Sequence, residues 1–351
     1  MTKLLVLLLL VPVIFQSILF AKPKNQGKNQ ETQKKLEWIF TPYSVYSEKD
    51  YFAAVGSAKS KTESELKAVE NLASIFGQDI QTHTASEMHA VGQEAGNDIS
   101  KTFVDSSLSV QVQTEVNQKD LIGVEIKESY FDEVHNTWYT LALLDKKKTT
   151  GLYEKIIQKN ADSIEQLTSF ANSKKDSIEK FTALYKASSL ASLNESYFPR
   201  FYIINPEKCD ALKNLHKSSV QLRLESNIVA EKIPFGIKIP SVSFSKELKN
   251  SCAELLESFG FVIDQKEPVY ELTVELNNNV RKVQNPEMFY SEFTIMLQIN
   301  KNDSIYLSWD KTGRAGGKTQ ELSEQKMNQM ICNLIKTEYK NVLEEFFLWR
   351  E

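Results

Sequence analysis

The sequence is short of the residues that usually announce chemistry. It has four histidines and three cysteines in 351 residues. Cys209, Cys252 and Cys332 are too widely spaced for a metal knuckle, and an odd number leaves at least one thiol without a partner for a disulfide within the chain. Cys252 and Cys332 sit in helical patterns beside Leu255 and Leu334, where a thiol serves as a small buried hydrophobe; a disulfide involving Cys209 is the alternative. His83 and His89 are six residues apart, which sets them on different faces of a helix, and all four histidines, with His135 and His216, read as single surface residues. Gly-x-Ser-x-Gly, His-Glu-x-x-His and Cys/His arrangements are all missing. Charge of one sign is missing too: 42 basic and 46 acidic residues leave a formal charge of -4, interspersed along the chain. No basic stripe calls for nucleic acid. The expectation is a protein that is not an enzyme, with catalytic, cofactor and metal residues all unassigned. An unrecognised envelope hydrolase is the alternative of another class.

What is present begins with an address. Lys3 supplies a positive start, Leu4 to Phe20 is apolar apart from Gln16 and Ser17, and Leu19-Phe20-Ala21 leaves a small residue before Lys22, the layout of a secretory signal peptide over residues 1–21. Cleavage is expected between Ala21 and Lys22. The alternative is a retained anchor, because the apolar run approaches the roughly 18 residues that span a bilayer. Either way the remaining chain is expected outside the cytoplasm. Lipidation would need a cysteine just after the leader, and the first is Cys209, so an unlipidated protein is expected. Residues 22–36 form a polar tether.

Residues 51–80 organise the first domain, expected over 37–150, with Trp38 and Phe40 as packing residues ahead of it. Tyr51 to Val55 reads as a strand that ends in a turn at Gly56. Leu66, Val69, Leu72, Ile75, Phe76 and Ile80 then recur at helical spacing, and Thr62-x-x-Glu65 reads as a capping box. Two alternating strands are expected at Leu108 to Val116 and Ile122 to Ile126, with one face buried and one wet beneath a helix on a single side. A turn over residues 133–136 leads to Trp138–Leu144, apolar on both faces and therefore a central strand. Val55, Gly56 and Ser57, the helix residues Ala68, Asn71, Leu72 and Ile75, then Gly123, Val124, Trp138, Tyr139, Leu141 and Ala142 resemble the LPP-twenty lipoprotein family, which includes a flagellar outer-membrane protein. Ala58 replaces that family's second turn glycine, and the lipobox cysteine is missing. The resemblance implies a non-enzymatic envelope protein, periplasmic or associated with the outer membrane, that acts by protein contacts.

Residues 151–214 read as a helical connector, with a break at Asn172 and Ser173 and an irregular aromatic linker at residues 197–206. The second domain, 215–351, is expected as β-α-β-β-β-β-α. Its first strand is placed at Val220, Leu222 and Leu224, and its helix carries Leu248, Cys252, Leu255, Leu256 and Phe259. Further strands are expected at 270–276, 289–299 and 304–309, with a turn at 300–303 before a long final helix. The element order and residues 254–263 are similar to the TolB amino-terminal domain. Residues 312–319, TGRAGGKT, lie between strand and helix as a phosphate loop should. Counting back from Gly317, however, the required glycine falls on Thr312, so a flexible loop is expected, with an anion contact through Arg314 and Lys318 as the sharper alternative.

The expected fold class is α+β, with two domains, each an antiparallel or mixed sheet packed against helices, joined by a helical segment. The expected partners are envelope proteins, either flagellar basal-body or outer-membrane components, with peptidoglycan and self-association also allowed. Regulation of peptidoglycan synthesis or outer-membrane assembly is the runner-up reading.

Overall fold

A computed structural model describes residues 36–94, 121–175, 177–284, 287–302 and 304–349, with no side-chain detail at 79–94, 287 and 349. The fold is α+β with two separate sheets. The described chain falls into two compact units. One takes residues 36–72 and 125–143; the other takes 73–94, 121–124 and 144–349.

In the first unit a short helix α1 (Pro42–Val45) precedes strand β1 (Tyr51–Ala58), and helix α2 (Lys61–Glu94) begins after a bend. Strands β2 (Val124–Asp132) and β3 (Thr137–Asp145) form a hairpin, and the sheet order β1-β3-β2 puts β3 in the centre, as its two apolar faces require. Asn136, at φ 46°, takes the left-handed position that ends the hairpin turn. One face of β3 meets α2, where Ser64 Oγ and Thr140 Oγ1 share a buried 2.7 Å hydrogen bond. The other face is covered as well: Leu141, Leu143 and Ala53 pack with Trp38 and Ile39. The expected wet face is therefore absent from the centre of this sheet, because the lead-in segment takes the place of water. Phe40, by contrast, is 82% exposed, and Ile126 on the edge strand β2 is 41% exposed.

Gly56 lies inside β1 and not in a turn, and its role is proximity. A Cβ there would stand 2.2 Å from the backbone nitrogen of Ala68 and 2.3 Å from the carbonyl oxygen of Ser64. That closeness selects small residues, so the buried stripe of α2 begins with Ser64 and Ala68 before Leu72 and Phe76, while Leu66 is left outside. The helix is capped by Ser60 and not by the anticipated Thr62: the Ser60 hydroxyl accepts from the Glu63 amide at 3.3 Å. The strand expected at 108–116 lies outside the described residues.

In the second unit α3 (Lys146–Ser173) and α4 (Ile178–Ile204) form an antiparallel pair, followed by α5 (Pro206–Leu212) and α6 (Ser219–Ala230). Two expectations fail here for physical reasons. Helix α4 runs through Pro199, because Tyr197 and Phe201, one turn apart, both pack on Tyr153 at 5.9 and 5.3 Å between ring centres. Residues 220–224 are helical because Ser218 and Gln221 form a reciprocal capping box; Leu222 is buried, while Val220 and Leu224 are exposed.

Strand β4 (Pro234–Lys238), helix α7 (Ser245–Glu257) and strand β5 (Val262–Ile263) open the second sheet, followed by β6 (Tyr270–Gln284), β7 (Glu287–Lys301) and β8 (Ser304–Gly317). The expected element order holds once its first strand is moved to Pro234. The sheet order is β5-β4-β6-β7-β8, with β4 parallel to both neighbours and β6, β7 and β8 antiparallel. Helix α8 (Gln320–Leu334) leads through a π-helical turn (Ile335–Tyr339) into α9 (Lys340–Trp349). Phe181 and Tyr185 of α4, Phe235 of β4, Phe261 and Phe347 share one aromatic core with the inner face of the sheet. No described helix is long and apolar enough to cross a membrane.

The Tyr339 hydroxyl is buried without a hydrogen-bond partner among the described residues. Removing a polar group in that position relieves a desolvation cost, so Tyr339→Phe should raise unfolding stability by about 1 kcal/mol at pH 7 in a urea titration.

Candidate interaction surface

The groups whose proton affinity is displaced are structural. Burial pushes the Cys252 thiol from 9.0 up to about 12 and the Tyr153 hydroxyl from 10.0 up to about 12, and it raises Tyr339 further still. Burial, then the 2.8 Å bond to Glu128, lifts Tyr46 to about 12. His135, hydrogen-bonded at 2.7 Å, holds the Asp132 carboxyl below its usual range in an exposed hairpin turn. Cys252, Tyr153 and Tyr339 keep their protons in the folded chain at pH values where the unfolded chain releases them. Their stabilisation is therefore complete below about pH 9 and is lost as pH rises through 10 and beyond, at about 1.4 kcal/mol per pH unit for each group engaged. Urea midpoints at pH 8, 10 and 11 should fall steeply, and Tyr339→Phe should flatten the fall above pH 10.

The histidines with described side chains are held in place. His135 sits in the hairpin turn against Asp132, and His216 belongs to a polar knot between helices: its Nε2 lies 3.0 Å from Asn194, whose amide also donates to the Ile157 carbonyl oxygen at 3.1 Å and accepts from Asn160 at 2.8 Å. His216 is thus no simple surface histidine. The side chains of His83 and His89 lie outside the described residues, as do Ala21 and Lys22. None of the three cysteines is in a disulfide, and Cys209 and Cys252 are buried. Among the described residues no three His, Cys, Asp or Glu side chains converge on a metal position.

The glycine-rich stretch corrects the sequence reading most sharply. Thr312 to Gly317 is strand, paired residue by residue with β7, and not a flexible loop. Its glycines serve packing. A Cβ on Gly313 would meet the Phe293 ring at 2.4 Å, and one on Gly317 would meet the Ser323 backbone nitrogen of α8 at 2.5 Å. Extended backbone directs successive amides to opposite sides, so these residues cannot wrap a phosphate.

What the sheet builds instead is a surface. The register of β6, β7 and β8 stacks outward-facing residues in rows across three strands: Thr273, Gln298 and Ser308; Glu275, Met296 and Asp310; Asn277, Thr294 and Thr312; Asn279, Glu292 and Arg314; Arg281, Tyr290 and Gly316. Thirteen of these fifteen positions are polar or charged side chains or tyrosine, in contrast to the inner rows Leu272, Ile299 and Leu307 and Val274, Leu297 and Trp309, which are apolar. The rows are pinned laterally. Arg281 Nη2 lies 3.6 Å from Glu292 Oε2, the Arg314 guanidinium lies 4.7 Å from the centre of the Tyr290 ring, and the Gln298 amide donates to Ser308 at 3.2 Å. An open groove of about 620 Å³ occupies the middle of this region, lined by Asn277, Asn279, Glu292, Thr294, Thr312 and Arg314 among others. Amides and hydroxyls supply neutral donors and acceptors, with one acidic and one basic group at the rim. That inventory suits polar recognition and holds no nucleophile paired with a base.

The fold and this surface define a mixed α+β protein with a polar, unroofed sheet face. No family model and no curated protein matches the chain, so the LPP-twenty resemblance is not supported at the level of a family. Among solved structures, the chain is similar to a secreted protein of the human pathogen Helicobacter pylori at 14% identity and TM-score 0.34, covering 86% of this chain and 99% of that one. It is also similar to a minor lipoprotein of Acinetobacter baumannii at 11% identity and TM-score 0.25, covering 33% of this chain and 90% of that one. Both likenesses are slight.

Proposed function

We propose that this protein is a non-enzymatic exported envelope component that works by binding through the outward face of β6–β8. The observation that carries the reading is that face itself: its middle rows, including Asn277, Asn279, Thr294, Thr312 and Arg314, are exposed over a formed groove, while Val274, Phe293, Ile295 and Leu297 on the opposite face are packed into the core. A leader-like N-terminus and the motif resemblance at residues 51–142 support placement in the envelope. They favour a role as a flagellar basal-body or outer-membrane accessory, with protein partners.

A second reading has an observation of its own. The amide and hydroxyl lining of the groove suits the hydroxyls and acetamido groups of a glycan strand, which would make the protein a regulator of peptidoglycan synthesis. Affinity capture of the tagged protein after cross-linking in the native envelope, alongside co-sedimentation with purified peptidoglycan, separates the two. Recovery of flagellar ring or rod components, abolished by Asn279→Lys, supports the first reading. Recovery of penicillin-binding proteins together with sedimentation on peptidoglycan supports the second. Capture that is indifferent to Asn279→Lys would remove this face from the account.

A further inference from the structure

The geometry points to a two-fold dimer in which strand β8 pairs antiparallel with β8 of a second copy, centred on Thr312, so that two five-stranded sheets become one. Among the described residues β8 pairs with no strand but β7, so its other edge has no strand partner; near its end the Gly316 carbonyl oxygen accepts from Lys326 Nζ at 3.1 Å, a bond the flexible lysine can release. The strand is long, and it is regular where regularity is needed. The irregularity in its pairing with β7 falls at Tyr306, between Ile305 and Leu307, so the uninterrupted stretch runs from Leu307 to Gly317. Its midpoint is Thr312.

A self-paired strand must satisfy its own sequence read backwards, and this stretch does so about one residue. With Thr312 on the two-fold axis, Asp310 of each copy stands opposite Arg314 of the other, giving two opposite-charge pairs on the outward face. On the inward face Trp309 meets Ala315, Leu307 meets Gly317 and Lys311 meets Gly313, so each large side chain faces a small residue. Neighbouring registers fail. Centring on Asp310, Lys311 or Arg314 sets a charge against its own copy, and centring on Gly313 leaves Asp310 opposite Gly316 and Arg314 opposite Thr312, with no opposite charge in reach. The charges that protect an edge against indiscriminate pairing here admit one register, and the occupant they admit is the same strand. Asp310, Thr312 and Arg314 are exposed, and they lie on the face where side chains are not committed to the core. The inference concerns the edge of β8 and stands whichever partner the groove takes. In the dimer the two grooves lie on the same side of one continuous sheet.

The test is sedimentation velocity of the purified protein over a wide concentration range, with charge reversal at the two positions. The wild type should show a concentration-dependent dimer. Asp310→Arg turns both opposite-charge pairs into pairs of arginines, and Arg314→Asp turns both into pairs of aspartates; each alone should weaken dimerisation by about tenfold or more. The double variant Asp310→Arg with Arg314→Asp should restore it. As a second readout, Thr312→Cys should be captured as a covalent dimer under mild oxidation, and Ser308→Cys, which faces Gly316, should not. A monomeric wild type at all concentrations, a dimer untouched by the single reversals, or a double variant weaker than either single would overturn the assignment.

Discussion

Gly56→Ala is expected to cost at least about 3 kcal/mol of stability in the unit built from β1, β3 and the start of α2, an effect at or above the upper end for overpacking. The added methyl would meet backbone atoms, the Ala68 nitrogen at 2.2 Å and Cα at 2.8 Å and the Ser64 carbonyl oxygen at 2.3 Å, and none of these can rotate away as a side chain would. Relief requires the first turns of α2 to lift off the sheet. That movement would break the buried 2.7 Å bond between Ser64 and Thr140 and open the packing of Ala68 and Leu72, both fully buried. Gly77→Ala is the control. It lies farther along the same helix with nothing within 4 Å of its Cβ position, and it should stabilise by up to about 1 kcal/mol through helix propensity. Hydrogen exchange on the two variants should show lost protection in 51–72 and 125–143 for Gly56→Ala alone. Equal behaviour of the two alanines would mean that close approach does not govern position 56.

Phe347→Ala should be comparably severe in the second unit. The side chain is fully buried, with ring centres 5.0 Å from Phe181, 5.2 Å from Phe259 and 5.9 Å from Phe261. It ties α9 to α4 and to the turn that leads into β5, and truncating a buried phenylalanine costs about 3–5 kcal/mol through lost transfer energy and the cavity left behind. Its neighbour Phe346 is only partly buried against that core, so Phe346→Ala should cost clearly less. Urea denaturation of both variants decides the point, and a loss below about 1 kcal/mol at Phe347 would show that the aromatic cluster collapses around the void.

Some of this was open to reading in the sequence because the signals are local. The hairpin turn at 133–136, the central position of β3 and the long last helix each follow from periodicity or from turn residues near at hand. Tertiary packing hid other elements. Pro199 outweighs helix in a local reading, but Tyr153, far away in sequence, rewards helical spacing at Tyr197 and Phe201. Val220, Leu222 and Leu224 alternate like a strand, yet the Ser218 cap decides for helix and buries only the middle residue. The candidate surface was the least legible part. Asn277, Thr294 and Thr312 are unremarkable polar residues until the register of three strands places them in one row, and register is a long-range property. The glycines at 313, 316 and 317 carried a loop signal for a related reason, since what the first two accommodate, the Phe293 and Tyr290 rings, belongs to another strand, and what the third accommodates is the backbone at the start of α8.

The order β1-β3-β2 sets a timetable for a chain that emerges N-terminus first. Strand β1 is complete at Ala58, but its one strand neighbour among the described residues does not begin until Thr137. Until then its apolar run of Phe52, Ala53, Ala54 and Val55 has no hydrogen-bonded strand beside it and only the lead-in at Trp38 and Ile39 and the start of α2 to cover it, and the loop to be closed is long, which slows nucleation. The growing polypeptide therefore carries a sticky, unpaired strand through the synthesis of the whole intervening segment. In that interval it is most exposed to aggregation and has most to gain from a chaperone that holds residues 51–58.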